Sequence, residues 1–207
     1  MLERPWDQPA RAHRTVSRPA HEGLLFLRRW LAHPLRMGTM LPSSAAMGRL
    51  VAQALPEPAG RFVLELGAGT GAISQALARR MPQEQLLLVE VDDELCHWLC
   101  RRFPRATTLC GDALDLARLA PGAAVQQGVC AVVSGIPVIR FPLAAQRAFV
   151  DQCFALMDRD GCLLQYSYSP VPPLPCRPLG LERTRLGIVC STLLPMFLWR
   201  FTRADRG

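Results

Sequence analysis

Val63-Leu64-Glu65-Leu66-Gly67-Ala68-Gly69-Thr70-Gly71 decides the fold of this chain. An apolar run carrying one carboxylate turns directly into three alternating glycines, and Ala72-Ile73-Ser74-Gln75-Ala76-Leu77 resumes with helical spacing. The run reads as a buried strand. Alternate glycines permit a tight turn and a close approach of backbone to a ligand. The helix that follows aims its positive dipole end at the same place. A strand, glycine loop and helix in this order make a nucleotide-cofactor site.

The loop by itself leaves the cofactor open. Gly67-Ala68-Gly69-Thr70-Gly71-Ala72 also satisfies the loose dinucleotide fingerprint. Glu90, closing the apolar run Leu86-Leu87-Leu88-Val89, would take ribose hydroxyls under either reading. The whole string discriminates: Glu65 lies two residues before the first glycine, and Gly111-Asp112-Ala113 follows the next apolar segment. Together these landmarks resemble the S-adenosylmethionine site of the class I methyltransferases. That resemblance implies S-adenosylmethionine as the cofactor. Glu65 would orient the loop and the methionine ammonium, and Gly67, Ala68, Gly69, Thr70 and Gly71 would give backbone approach. Glu90, with Val91 beside it, would hold the ribose, and Asp112 and Ala113 the adenine.

Working outward, strands and helices alternate: strand 61–66, helix 71–81, strand 85–91, helix 92–103 and strand 106–110. Strand 129–133, helix 143–157 and strand 161–168 continue the series. This order predicts an α/β fold with a mostly parallel sheet and helices on both faces. The apolar runs 181–191 and 196–202 have no helix-sized gap between them and read as a hairpin. From the resemblance comes a Rossmann-like, seven-stranded sheet with an antiparallel last strand and N-terminal helices. Three regions are expected: a basic, partly disordered leader at 1–20, amphipathic and capping helices at 21–56, and the cofactor-binding domain at 57–207. Helix 44–55 takes Ser43 or Ser44 as its cap.

The chain has 207 residues, half of them apolar, without a run approaching the roughly twenty needed to span a bilayer. Its start lacks the apolar core of a signal peptide, so a cytoplasmic chain is expected. Eight cysteines, none in a C-x-x-C pair, read as thiols in a reducing compartment. The net charge is +7, and all 24 cationic side chains are arginine. No lysine amine is present, so Schiff-base chemistry is excluded; a basic surface favours nucleic acid or an anionic membrane face.

Three further stretches refine the resemblance. Phe26-Leu27-Arg28-Arg29-Trp30-Leu31-Ala32-His33-Pro34 leads into Gly38-Thr39-Met40-Leu41-Pro42-Ser43-Ser44. Ser134-Gly135-Ile136-Pro137-Val138-Ile139-Arg140 follows the fourth strand, and Gln165-Tyr166-Ser167-Tyr168 ends the fifth. Together they look like the bacterial phospholipid N-methyltransferases of the branch resembling ribosomal RNA adenine methylases. The implied activity is conversion of phosphatidylethanolamine to phosphatidylcholine by up to three methyl transfers, at the cytoplasmic face of the membrane. Methylation of another amine lipid, such as an ornithine lipid, of RNA adenine, or cofactor binding without turnover are the alternatives. In the RNA enzymes the loop after the fourth strand holds a flipped adenine with an amide and an aromatic ring. Here Ser134 to Val138 supply neither. The expected partners are therefore phosphatidylethanolamine and an anionic lipid surface, with no nucleic acid and no obligate protein partner.

For the reaction itself, Ser134 and Ile136 would offer backbone carbonyls to the amine. Tyr168 would hold the growing methylammonium by cation–π contact, sharing a strand face with Tyr166 if the strand stays regular to 168. Thr39, Met40, Ser43, Ser44 and Arg140 are candidates for the substrate or its phosphate. Leu24, Phe26, Leu27, Trp30 and Leu31 fall on one side of a helix, with Arg28 and Arg29 on the other. That segment either lies in a membrane interface or packs on the core. Cys96, His97 and Cys100 have helical spacing, but too few ligands surround them for a metal. Cys96 and Cys100 are expected on the buried face of helix 92–103. The prolines of 170–175 read as a stiff loop.

Overall fold

A computed structural model describes residues 42–119, 128–190 and 195–204. Helix α1 (Pro42–Ala54) precedes β1 (Phe62–Leu66), α2 (Ala72–Arg80), β2 (Leu86–Glu90), α3 (Asp93–Arg102) and β3 (Thr107–Cys110). Then come α4 (Leu116–Leu119), β4 (Val129–Ser134), α5 (Leu143–Leu156), β5 (Met157–Ser167), α6 (Cys176–Leu179), β6 (Leu181–Val189) and β7 (Met196–Arg203). The seven strands form one sheet in the order β3-β2-β1-β4-β5-β7-β6. Pairs among β1 to β5 are parallel, and β7 runs antiparallel to both β5 and β6.

The central strands β1, β2 and β4 are buried along their whole length, which is why they read as unbroken apolar runs rather than alternations. Successive residues serve opposite faces. Leu64, Val132 and Leu163 enter one core with Phe149 and Phe201, and Val63, Val133 and Leu164 enter the other with Met47, Leu77 and Leu99. Burying a Leu or Phe side chain is worth roughly 1.5–3 kcal/mol, so these two layers hold the strand order firmly.

Several expectations need correction. Helix α1 begins at Pro42, two residues ahead of the expected start at 44, so positions 43 and 44 fall within the helix; proline suits the first helical position, where its missing N–H is not needed. Strand β5 starts at Met157, immediately after α5, with a shift in its pairing to β4 before Ala131 and Cys162 meet. Cys100 is exposed on α3, whereas Cys96 is buried and its thiol donates to the Glu90 carbonyl at 3.3 Å. The proline loop turns Leu174 into the core and leads into α6. Residues 24–31, Thr39 and Met40 fall outside the described residues.

Candidate cofactor and acceptor site

The two acidic landmarks sit at the carboxyl ends of β1 and β2 and behave differently. Both are about 1% exposed. Glu90 is engaged with backbone through both oxygens, with one lone pair of Oε2 left over. Its Oε2 accepts from the Gly69 amide at 2.8 Å, and its Oε1 accepts from Val91 at 2.8 Å and Asp92 at 3.1 Å. It therefore ties the glycine loop to the turn after β2. Glu65 is the opposite case: neither carboxylate oxygen makes a hydrogen bond, and the buried Ser74 hydroxyl near it makes none either. Burial pushes the Glu65 carboxyl up to about 8, moderated by Ser74 and reinforced by the charge of Glu90. An unpaired buried carboxylate costs free energy unless a cation or donor meets it. The ammonium of S-adenosylmethionine is such a partner.

The glycines of the loop divide the work. A Cβ built on Gly69, whose φ is +56°, meets nothing within 4 Å, so open space faces it for a cofactor. A Cβ on Gly71, φ +80°, would lie 2.5 Å from the Phe103 ring. The close approach at Gly71 is thus to a core side chain packed beneath the start of α2, not to a ligand. Trp98 of α3 braces the loop from above, its indole N–H donating to the Thr70 carbonyl at 3.2 Å. Beyond β3, Asp112 Oδ1 accepts from the Leu114 amide at 2.9 Å. Partial burial raises its carboxyl above the usual range. Ala113 beside it is buried.

After β4, the loop is built from peptide groups. The Ser134 hydroxyl accepts from the Ile136 amide at 3.2 Å. The Ile136 carbonyl accepts from the Val138 amide at 2.7 Å and from the Gln165 side-chain amide at 2.9 Å. Both its lone pairs are taken, which leaves Ile136 no acceptor for a substrate amine. Gln165, given no role by sequence reasoning, is therefore the brace of this loop. Its Nε2 also reaches the Tyr166 carbonyl at 3.2 Å, and its buried Oε1 has no partner. Trp199, directly opposite Gln165 on β7, likewise buries an indole N–H without a partner.

The tyrosines do not share a strand face, because β5 ends at Ser167. Tyr168 lies past that end and is 48% exposed. Tyr166 instead lays the end of its phenol against Gly135: a Cβ there would be 2.2 Å from both its Cζ and its Oη. Burial and the neighbouring charges of Glu65, Tyr168 and Glu90 push the Tyr166 phenol well up, so it stays protonated. Arg140 is exposed on the short turn Val138–Arg140. Among the described residues, no three His, Cys, Asp or Glu side chains gather as a metal site.

Residues 63–161 match the family described as a methyltransferase domain. An ornithine lipid N-methyltransferase of Singulisphaera acidiphila is 33% identical over 127 residues, 59% of this chain and 66% of that protein. Ribosomal RNA small subunit methyltransferase A of Acidobacterium capsulatum is 32% identical over 129 residues, 57% of this chain. The chain thus spans 66% of the first relative's length and 45% of the second's. Among solved structures, the glycopeptide N-methyltransferase MtfA complexed with S-adenosylmethionine superposes with a TM-score of 0.59 at 15% identity, covering 77% of this chain and 94% of that one. The 1,6-didemethyltoxoflavin-N1-methyltransferase of Burkholderia thailandensis superposes with a TM-score of 0.61 at 14% identity, covering 94% of each chain. At such identities the likeness is one of fold.

Sheet order, glycine loop and acidic tips define a Rossmann-like fold of the class I methyltransferase kind. Its cofactor site fits S-adenosylmethionine, with the orphaned Glu65 carboxylate and the open face of Gly69 as the matching features.

Proposed function

We propose that this protein N-methylates the amine headgroup of a membrane lipid, with phosphatidylethanolamine as the acceptor and phosphatidylcholine as the product of three transfers. The observation that carries this reading is the loop after β4. Ser134 and Gln165 hold it as a row of peptide groups, and it lacks the amide and stacking ring that a flipped adenine needs. A compact amine requires only alignment, and positioning supplies most of the rate in such a displacement.

S-adenosylmethionine supplies an electrophilic methyl group. The chain's residues bind and align around it: Glu65 takes the ammonium, Glu90 and Val91 the ribose side, and Asp112 and Ala113 the adenine side. Only the neutral amine has a lone pair for that methyl group, so the headgroup nitrogen would lose its proton to water before each transfer, and the third would leave a quaternary ammonium. Tyr166, protonated and packed on Gly135, gives the acceptor pocket a polar ring face. Tyr168 at the exposed rim stabilises the methylated ammonium by cation–π contact. The amphipathic segment 22–32 and a cytoplasmic, peripheral membrane location belong to the same proposal. A second reading, methylation of an ornithine lipid, draws on the relative that is 33% identical.

The deciding experiment supplies labelled S-adenosylmethionine with vesicles containing phosphatidylethanolamine, vesicles containing ornithine lipid, or ribosomal RNA. Label in mono-, di- and trimethylated phosphatidylethanolamine is expected. Label confined to ornithine lipid selects the second reading, and label in RNA alone overturns both.

A further inference from the structure

The loops that follow β4 and β5 leave the sheet side by side, since β4 and β5 pair up to Ser134 and Gln165 and Gln165 holds the Ile136 carbonyl. Their inward side chains, Val138, Phe141 and Leu174, all enter one core. Their outward side chains are also apolar. Six large hydrophobic side chains are exposed among the described residues; Ile139, Tyr168 and Val171 lie on these two loops, and Leu143 opens α5 at the end of the first. Val171 is 61% exposed and Leu143 47%. Scattered single hydrophobics are ordinary on a surface, but a cluster at the mouth of a site marks an interaction face.

The charges on this rim are one-sided. From Ser134 to Leu143 the sequence has Arg140 and no carboxylate, and from Gln165 to Leu174 it has no charged residue. The tips of β1 to β3, by contrast, carry Glu65, Glu90, Asp92, Asp93 and Asp112. The acceptor half of the site mouth is therefore apolar, with Arg140 as its charge and no carboxylate, and the cofactor half is acidic.

We infer that the rim formed by Ile139, Leu143, Tyr168 and Val171 docks on the interface of an anionic lipid bilayer, setting the acceptor loop at headgroup depth. The inference rests on the lipid reading above and adds to it a surface made of residues other than 22–32. Aliphatic side chains in the rim enter the acyl boundary, Tyr168 sits at headgroup level as amphipathic rings do, and Arg140 meets lipid phosphate. A lipid amine then reaches Gly135 and Tyr166 without leaving its leaflet.

The test is flotation of the full chain with vesicles of phosphatidylglycerol and phosphatidylcholine, which contain no amine acceptor. The wild type is compared with the triple variant Ile139→Ser, Leu143→Ser, Val171→Ser. The variant is expected to lose vesicle partitioning by roughly tenfold or more, while its melting temperature and S-adenosylmethionine affinity stay at wild-type values. The single variants V171S and L143S, at exposed positions neutral for folding, should each lose about two- to fivefold, so a triple variant that folds poorly does not remove the test. Wild-type partitioning in every variant overturns the inference, as does a wild type that ignores vesicles. A wild-type dimer that these substitutions disperse in lipid-free buffer also overturns it, in favour of a second copy of the chain. Vesicle binding without any lipid methylation would sink the functional reading and leave the docking surface standing.

Discussion

The two ends of the sheet are built on opposite terms. Where β1 and β5 begin, charges are paired around Arg61 and Glu57. Arg61 reaches Asp160 at 2.8 Å, Asp158 at 3.3 Å and the carbonyls of Pro58 and Glu57, and Arg80 pairs with Glu57 at 2.9 Å. Where the strands finish, Glu65, Gln165 and the nearby Ser74 bury polar atoms that have no partner. Buried polar groups in folded proteins are nearly always satisfied. Five of the eight exceptions among the described residues, on Glu65, Ser74, Gln165 and Trp199, lie at this end, and they mark where a ligand completes the structure.

The largest expected effect tests that contrast at Glu65. Glu65→Gln should weaken S-adenosylmethionine binding roughly tenfold to hundredfold, the worth of a hydrogen bond to a charged group, as read by calorimetry. The sign of the stability effect runs the other way. The raised carboxyl of Glu65 supports the unliganded fold while protonated, and that support is lost as pH climbs from the ordinary carboxyl range through about 8. The unliganded variant should hence melt above the wild type at pH 8. Cofactor binding to the wild type should release a proton and tighten as pH rises towards 8. Pairing that leaves both pH profiles flat would remove Glu65 from the site.

Next comes Gly135→Ala. With Tyr166 2.2 Å from the new methyl, overpacking should cost about 1–3 kcal/mol in a thermal melt and remove most methyl transfer. Adding Tyr166→Leu should restore the melting temperature but not turnover; restored turnover would deny Tyr166 its place in the acceptor pocket. A smaller loss follows from Gln165→Leu. The Ile136 carbonyl keeps the Val138 donor and an orphaned oxygen disappears, so stability should change by less than about 1 kcal/mol. Turnover should fall several-fold with cofactor affinity intact. The smallest effect belongs to the other end: Arg61→Ala should lower stability by about 1 kcal/mol, as for partly exposed ion pairs, and leave cofactor binding unchanged. A drop in cofactor affinity there would break the separation of the two ends.

How far the chain could be read ahead of the structure follows the same division. The glycine loop, the alternation of strands and helices, and the closing hairpin announce themselves through local spacing, because one face or both faces of each element must be buried. Sheet pairings were another matter. Gln165 braces Ile136 only because β4 and β5 lie side by side, and Gly71 needs its bare Cα because Phe103 arrives from α3; neither is encoded within a window of neighbours. Tyr168 sits at the rim, not on the strand, because the strand stops at Ser167, one residue short. Tyr166, two residues earlier, is the ring packed on the acceptor loop. The short α4 and α6 were missed because four residues are too few to show helical periodicity.

The outer strands of the sheet have a bearing on how the protein behaves at high concentration. One edge, β3, is only four residues long, and the other, β6, exposes Glu182, Arg183 and Arg185 along its outward run. Short or charged borders resist the strand-to-strand addition that seeds fibrils. A polypeptide with a greasy lip can thus stay dispersed in water, since the lip offers no unpaired backbone ladder on which a neighbour could grow.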